Sequence, residues 1–203
     1  MQTVNKVNLD EVKKLGKDYK IPIISHEVAQ FLQTIVALKK PSQILEIGTG
    51  IGYSGCVLLK NASSSTRLIS IEKNAQYVCV ANHIFEQNFF DRAIVLQGDC
   101  RNIVPNLSSF LHCEQIEFDL IFMDGPKSAY VELLPYLVQL LSDGGVLICD
   151  NVLFRGLVQQ NDGKSTTMIR KLRQFLCDVQ KSPLITAILP VGDGISLSIL
   201  DKH

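Results

Sequence analysis

The 203-residue sequence lacks a net charge, because 20 lysines and arginines are matched by 20 aspartates and glutamates. This balance excludes a protein that is attracted as a whole to nucleic acid or to an anionic membrane, so a polyanionic partner would need a local basic patch. The sequence also lacks internal repeats and low-complexity segments. Its length fits one ordinary domain, and we expect a single domain over residues 1–203.

Long hydrophobic runs are missing as well. The first 20 residues, MQTVNKVNLDEVKKLGKDYK, are polar and mixed in charge, which is not the pattern of a secretory leader. No later stretch approaches the roughly 18 consecutive apolar residues of a membrane-spanning helix. We therefore expect a cytoplasmic protein.

The six cysteines are scattered singly and form no Cys-x-x-Cys pair. Several lie inside apolar runs, where a thiol acts as a small hydrophobic group, so we expect reduced, structural cysteines. Cys79 and His83 are four residues apart on a predicted helix, but two ligands alone make a poor metal site.

From residue 25 onward, apolar strand-like runs alternate with amphipathic segments, which predicts an α/β fold with a parallel sheet and helices on both faces. The segment LITAILPVGDGISLSIL predicts an antiparallel pair of strands around a Gly-Asp-Gly turn. Before these two, the predicted strands are 43–47, 67–71, 93–97, 118–123 and 145–150. The predicted helices are 8–19, a second one capped by Ser25, 53–60, 74–88, 101–108, 128–141 and 165–180. The first two form an N-terminal helical extension at about 1–40.

A glycine-rich segment, ILEIGTGIGYSG, follows the first predicted strand and contains Gly48, Gly50, Gly52 and Gly55. The last three satisfy Gly-x-Gly-x-x-Gly, a loop that lets a cofactor approach the backbone at a helix N-terminus. Glu72 ends the next strand about 20 residues later, where a carboxylate can accept hydrogen bonds from two ribose hydroxyls. The pattern indicates a nucleoside cofactor, although the glycine loop alone is also compatible with an ordinary tight turn.

The identity of the cofactor is suggested by charge. A dinucleotide would place its pyrophosphate near Glu46, which repels it. S-adenosylmethionine has no phosphate and carries an ammonium and a sulfonium, so nearby carboxylates favour it. The antiparallel strand pair at the end of the sheet also favours a methyltransferase over a dinucleotide-binding fold.

Acidic and amide side chains follow two consecutive predicted strands. Asp124 ends the fourth strand, and Asp150 with Asn151 ends the fifth, so these side chains should meet at one edge of the sheet. They are hard oxygen donors that suit Mg²⁺, Mn²⁺ or Ca²⁺ rather than zinc. The alternative is that each caps a helix or turn. Lys127 belongs to the same crevice, where a divalent ion would offset the two carboxylates; by itself it would be a solvated surface lysine.

Four segments, EIGTGIGYS, SIEKN, MDGPKSAY with its Asp-x-x-Lys-x-x-Tyr spacing, and CDNVLFRG, resemble the cation-dependent O-methyltransferases of the catechol and caffeoyl-CoA type. The resemblance runs from about residue 20 to the end of the chain. Within that family, DNVLFRG and LPVGDGISLSI most resemble the bacterial branch that includes the tRNA 5-hydroxyuridine methyltransferase. The resemblance implies a Rossmann-like methyltransferase fold with a mostly parallel seven-stranded sheet, an antiparallel last strand, S-adenosylmethionine as cofactor and a homodimer.

The family's site residues can be carried over by matching position. Asp124, Asp150 and Asn151 would be metal ligands for Mg²⁺ or another divalent cation, and Lys127 would be the base near the acceptor hydroxyl. The implied cofactor contacts are Gly48 and Gly50 in the loop, Ser54 at the methionine carboxylate, Glu72 at the ribose, Asp99 and Cys100 at the adenine, Asp124 at the amino group, and the backbone of Ile24 at the methionine end. The chain departs from the family at Gly125-Pro126, which keeps the spacing between Asp124 and Lys127.

The substrate is suggested less directly. Basic residues cluster after the metal motif, at Arg155, Lys164, Arg170, Lys171 and Arg173, and they can supply phosphate contacts to tRNA; a solvated helix face explains them equally well. We therefore expect O-methylation of 5-hydroxyuridine in tRNA, with O-methylation of a small catechol-like phenol as the alternative. Two readings from other classes remain open, namely an NAD-binding dehydrogenase and a non-catalytic cofactor-binding module.

Overall fold

The fold was analysed in a computed structural model, which describes residues 8–114, 116–154, 156–158 and 166–202. The strands are β1 (Gln43–Ile47), β2 (Arg67–Glu72), β3 (Ala93–Gln97), β4 (Phe118–Met123), β5 (Leu141–Cys149), β6 (Leu184–Leu189) and β7 (Ile195–Leu200). The helices are α1 (Leu9–Asp18), α2 (His26–Lys39), α3 (Tyr53–Asn61), α4 (Ala75–Asn88), α5 (Cys100–Glu114), α6 (Tyr130–Leu140) and α7 (Thr167–Lys181).

The seven strands have the order β3-β2-β1-β4-β5-β7-β6, which confirms the predicted seven-stranded α/β sheet. By contacts, the chain divides into two compact units, Met1–Asp99 and Cys100–His203, and each is described by itself. The single domain over residues 1–203 stays a prediction.

The first unit contains β1, β2 and β3, which pair in parallel, with β2 in the middle. In the register of β1 with β2, Glu46 lies opposite Ser70 and Ile47 opposite Ile71. The two helices of the predicted N-terminal extension begin with side-chain caps. Asn8 forms a capping box with Glu11 at α1, and the Ser25 hydroxyl accepts a hydrogen bond from Val28 N at α2. The sequence-based placement of both helix starts is therefore confirmed.

The second unit contains β4, β5, β7 and β6. Strands β4 and β5 are parallel, whereas β7 is antiparallel to both of its neighbours, β5 and β6. The predicted antiparallel last strand is thus confirmed, and β7 is inserted between β5 and β6. Residues Leu120–Met123 are completely buried, which explains why β4 is an uninterrupted apolar run.

Two predicted boundaries were wrong. Helix α5 continues to Glu114 instead of ending near residue 108, because its serines are accommodated in the helix: Ser109 Oγ donates to Pro105 O, and Ser108 Oγ donates to Gln139 Oε1 on α6. Strand β5 begins at Leu141 rather than at residue 145, because Leu141 pairs with Phe118 across an irregularity in the β4–β5 ladder.

The cysteines whose side chains are described are all unbridged; Cys56, Cys100 and Cys149 are buried, and Cys79 and Cys177 are exposed. No helix among the described residues combines the length and the apolar character that crossing a membrane requires. The cytoplasmic location stays a prediction.

Candidate active site

The glycine loop lies between β1 and α3, as the sequence predicts. Gly48, Gly50 and Gly52 have φ angles of 99°, 52° and 89°, a left-handed backbone that residues with a Cβ adopt only at a cost. Gly52 is the N-cap of α3 and has no side chain that could accept hydrogen bonds from the first N–H groups of this helix. The loop therefore presents backbone donors at a helix N-terminus.

The carboxyl end of β2 holds this loop in place. Gly48 N and Thr49 N donate to Ile71 O at 2.9 and 3.2 Å. Gly50 N donates to Glu72 Oε2 at 2.9 Å, and Glu72 Oε1 accepts from Asn74 N at 2.8 Å. Because a carboxylate has about four acceptor positions, Glu72 retains capacity for ribose hydroxyls while it fixes the loop.

The remaining cofactor residues predicted in the first unit differ in exposure. Ser54 lies in the first turn of α3 and is nearly buried, as is Ile24 before α2. Glu46 is fully buried and accepts a hydrogen bond from Ser70 Oγ at 2.5 Å. Asp99 forms an ion pair of 3.0 Å with Lys73, whose side chain is exposed, and such a pair contributes little to stability. The cofactor contacts of these residues stay predictions.

In the second unit, Asp124 follows β4, and Lys127 lies in a single 3₁₀ turn, Lys127–Ala129. Lys127 Nζ donates to Asp124 Oδ1 at 2.7 Å and to Tyr130 Oη at 3.1 Å. The Lys127 and Asp124 side chains are only 13% and 24% exposed. The structure therefore brings together the Asp-x-x-Lys pair that the sequence singles out, and Lys127 is not a solvated surface lysine.

Asp150 and Asn151 follow β5. Asp150 is 2% exposed, and burial together with the negative charge of Asp124 raises the pKa of its carboxyl from 3.8 to about 6. Its Oδ1 accepts from Asn151 N at 2.7 Å. Asn151 has a left-handed backbone with φ 56°, which Asn tolerates better than most residues. Two carboxylates and a carboxamide thus lie close to one another in this unit.

Tyr130 is a residue of this site that our sequence reasoning did not assign a role. Its hydroxyl lies 2.9 Å from both Met123 O and Asp150 O, which share its single hydrogen, and the hydroxyl oxygen accepts from Lys127 Nζ. The side chain is completely buried, which raises the pKa of the phenol well above its usual value. The Asp-x-x-Lys-x-x-Tyr spacing was the available signal. Tyr130 links the ends of β4 and β5 to Lys127.

Two basic residues outside the turn that contains Lys127 also donate hydrogen bonds to it. Arg101 Nη2 donates to Ser128 Oγ at 2.6 Å, and Lys171 Nζ donates to Ser128 O at 3.1 Å. Arg101 Nε in addition pairs with Glu132 at 3.2 Å. These contacts come from residues distant in sequence, so no local motif indicates them.

The predicted metal ligands are compatible with a hard cation. Among the described residues, no group of three or more His, Cys, Asp or Glu side chains is placed to hold a metal ion; the predicted set instead consists of Asp124, Asp150 and the amide of Asn151. The pKa of Asp150 is raised first by burial and second by the negative charge of Asp124, and a divalent cation would offset that charge. The donor chemistry fits Mg²⁺, Mn²⁺ or Ca²⁺, and metal binding stays a prediction.

The basic cluster predicted to contact RNA is only partly described, because Arg155 and Lys164 lie outside the described residues. Arg173 Nε donates to Val158 O at 2.8 Å, and Lys171 donates to Ser128 O. Arg170 is exposed and bonds Thr167 Oγ1 at 3.3 Å. Both Lys171 and Arg173 are therefore engaged with the protein's own backbone, and RNA binding stays a prediction, as does the homodimer.

Comparisons with known proteins agree with this geometry. A family model described as O-methyltransferase matches residues 4–200. The catechol O-methyltransferase of Sus scrofa is 30% identical over 136 residues, which are 66% of this chain and 72% of that protein. Caffeoyl-CoA O-methyltransferase 1 of Eucalyptus globulus is 27% identical over 88% of this chain and 75% of that protein. The crystal structure of the O-methyltransferase from Bacillus cereus in complex with SAH has a TM-score of 0.83 and 27% identity, over 95% of this chain and 90% of that chain.

Proposed function

Because the chain belongs to the O-methyltransferase family and is an S-adenosylmethionine-dependent enzyme of the catechol and caffeoyl-CoA type, we propose that it methylates a hydroxyl beside a second oxygen on a planar ring, in a site that holds a divalent cation. The observation that carries this proposal is Lys127, whose amine lies between Asp124 and Tyr130, while the Tyr130 hydroxyl in turn bonds to Asp150 O.

In the first unit, the glycine loop and Glu72 are the proposed cofactor-binding residues. S-adenosylmethionine supplies the methyl group. Glu72 already accepts hydrogen bonds from Gly50 N and Asn74 N, and its remaining acceptor positions would take hydrogen bonds from the ribose hydroxyls. Ser54 would bind the methionine carboxylate at the N-terminus of α3, where the helix dipole favours an anion.

Asp124, Asp150 and Asn151 would hold the divalent cation in this proposal. When bound, the cation would supply Lewis-acid chemistry that lowers the pKa of a substrate hydroxyl. The support from the structure is chemical: three hard oxygen donors follow two neighbouring parallel strands, and one of them, Asp150, is held ionised at neutral pH at a cost.

Lys127 acts as the general base. Lys127 Nζ has two hydrogen-bond acceptors here, Asp124 Oδ1 and Tyr130 Oη. These contacts orient the amine, which as general base would take the proton of the substrate hydroxyl. General-base catalysis typically contributes about 10² to 10⁴ in rate.

Two methyl-acceptor substrates fit this chemistry. A small catechol-like phenol is favoured because the chain is similar to catechol and caffeoyl-CoA O-methyltransferases. The second candidate, 5-hydroxyuridine in tRNA, is supported by the resemblance of DNVLFRG and LPVGDGISLSI to the bacterial branch, and by the exposed guanidinium of Arg170. Both present a hydroxyl next to another oxygen on a flat ring.

The test is a methyl-transfer assay with a catechol and with undermodified tRNA, in Mg²⁺ and in EDTA. We expect Lys127→Ala to lose at least about 10² in kcat while S-adenosylmethionine binds with unchanged affinity by calorimetry. Full activity of Lys127→Ala would contradict its role as general base, and full activity in EDTA would show that the reaction does not require a divalent cation. A tRNA acceptor would make binding steeply salt-dependent, because counterions are released; salt-independent turnover of the catechol identifies the phenol.

A further inference from the structure

Beneath the glycine loop, three buried side chains form a chain of hydrogen bonds. Thr49 Oγ1 lies 2.5 Å from Ser70 Oγ, and Ser70 Oγ donates to Glu46 Oε2 at 2.5 Å. Glu46 and Ser70 are completely buried and Thr49 is 3% exposed. Thr49 is a residue of the loop, Ser70 lies in β2, and Glu46 lies in β1.

The direction of these hydrogen bonds follows from the number of hydrogens. A serine hydroxyl has one hydrogen, and Ser70 gives it to Glu46. Thr49 must therefore donate to Ser70, so that the chain runs from the loop through Ser70 to the carboxylate. In a buried network of this kind, each hydrogen bond strengthens the others.

The register of β1 with β2 makes this arrangement possible, because Glu46 and Ser70 are direct partners in the parallel ladder. The contact adds a side-chain attachment to the backbone attachments of the loop at Ile71 O and Glu72. Three successive residues of β2, Ser70 to Glu72, thus hold three successive residues of the loop, Gly48 to Gly50.

We propose that Thr49, Ser70 and Glu46 form a positioning relay that fixes the glycine loop in its cofactor-binding conformation, and that Glu46 acts on the cofactor through this relay and not by contact. The proposal rests on the cofactor lying at the glycine loop, and is independent of the metal, of Lys127 and of the acceptor. The apparent affinity for the cofactor equals the intrinsic affinity multiplied by the fraction of time that the loop spends in this conformation.

The burial of Glu46 distinguishes this role from direct electrostatic attraction. Its carboxylate lies against the core, since a Cβ added at Gly55 would be 3.1 Å from Glu46 Oε2 and 2.7 Å from Phe85 Cζ. S-adenosylmethionine carries a sulfonium charge that S-adenosylhomocysteine (SAH) lacks. A direct charge effect must therefore change the ratio of the two affinities, whereas a relay must change both affinities equally.

The experiment measures dissociation constants of both ligands by calorimetry in isosteric variants. We expect Thr49→Val and Ser70→Ala each to weaken both ligands about tenfold, because each leaves a buried polar partner unsatisfied. Thr49→Ser keeps the hydroxyl and should stay within about threefold of the unmodified chain. At saturating S-adenosylmethionine, kcat should be preserved within about threefold, so that the change appears in KM.

A double-mutant cycle tests whether the residues act as one unit. The Thr49→Val, Ser70→Ala double variant should bind no more weakly than either single variant, because both remove the same connection. The matched control is Thr186→Val, which removes a similar hydroxyl pair, Thr186 Oγ1 to Ser198 Oγ at 2.9 Å, between β6 and β7 of the other unit. This variant should lose stability but bind both ligands normally.

Several outcomes would overturn the relay. If Thr49→Val lowers only the Tm and leaves both affinities unchanged, the hydrogen bond between Thr49 and Ser70 has only a structural role. Additive losses of affinity in the double variant would show that the two residues make independent contacts. In Glu46→Gln, which still offers an oxygen to Ser70, the ratio of the two dissociation constants should stay within twofold; a selective loss of S-adenosylmethionine would show direct electrostatic contact. A chain that binds both ligands but methylates neither acceptor would refute the proposed acceptors and leave the relay testable.

Discussion

Replacing Asp150 by asparagine should stabilise the folded chain at neutral pH while abolishing the proposed metal site. In the folded chain the pKa of Asp150 is raised from 3.8 to about 6 by burial and by Asp124. A raised carboxyl pKa means that the folded state binds the proton more tightly than the unfolded state, so ionisation destabilises folding. The shift corresponds to a cost of about 3 kcal/mol above pH 6.

The stabilisation expected from Asp150→Asn depends on pH, because it equals the cost of ionising Asp150 in the folded chain. The cost is absent below pH 3.8, grows between pH 3.8 and about 6, and is constant above that range. Asparagine is isosteric and keeps an oxygen that accepts from Asn151 N, so the variant should be more stable by up to about 3 kcal/mol at pH 8 and by almost nothing at pH 4.

The assay is urea unfolding of both chains in EDTA at pH 4, 6 and 8. Asp178→Asn on α7, where the carboxylate accepts from Gln174, is the control and should change stability by less than about 0.5 kcal/mol. Added Mg²⁺ should stabilise the unmodified chain and not the Asp150 variant, because only the former binds the ion. Equal stabilities at pH 8, or an equal gain at pH 4 and pH 8, would refute the reasoning.

Two further substitutions test other parts of the second unit. Gly194→Ala should cost about 3 kcal/mol in urea unfolding, because the residue has φ 89° and an added Cβ would lie 2.3 Å from Leu153 Cγ; Gly156→Ala, at φ 74° with no described atom within 4 Å of its Cβ, should cost only about 1 kcal/mol, and equal costs would contradict the clash. Tyr130→Phe should lower kcat about tenfold without changing the affinity for S-adenosylmethionine, because Lys127 Nζ loses one of its two acceptors; an unchanged kcat would show that Tyr130 does not position Lys127.

The parts of the site that the sequence predicted are those encoded in short segments. The glycine loop and the Asp124–Lys127 pair each lie within one strand end and the turn after it, so local pattern and spacing were sufficient. The relay from Thr49 to Ser70 depends on the register between β1 and β2, which no local pattern specifies. The same holds for Arg101 and Lys171, whose partner Ser128 is distant in sequence.

Charge patterning leaves the role of the basic cluster undecided for a related reason. Lys171 and Arg173 stand in a basic cluster that predicts either a solvated face or RNA contacts, yet both donate to backbone carbonyls of the chain. A count of charges cannot reveal which cations the fold itself uses. The hydrogen-bond partners of these side chains separate the two roles, and the partners become known only once the elements have packed.

The position of β7 in the sheet affects how Asp150 and Asn151, which follow β5, are held in place. Strand β5, which is followed by Asp150 and Asn151, has β7 (Ile195–Leu200) as its second neighbour, and β7 follows the other six strands in the sequence. Without β7, β5 would have one open edge and β6 would have no partner among the described strands, and such edges invite pairing with other chains. A chain broken before Ile195 would thus carry every proposed ligand and the proposed base but not the complete sheet, so we expect it to lack methyl-transfer activity.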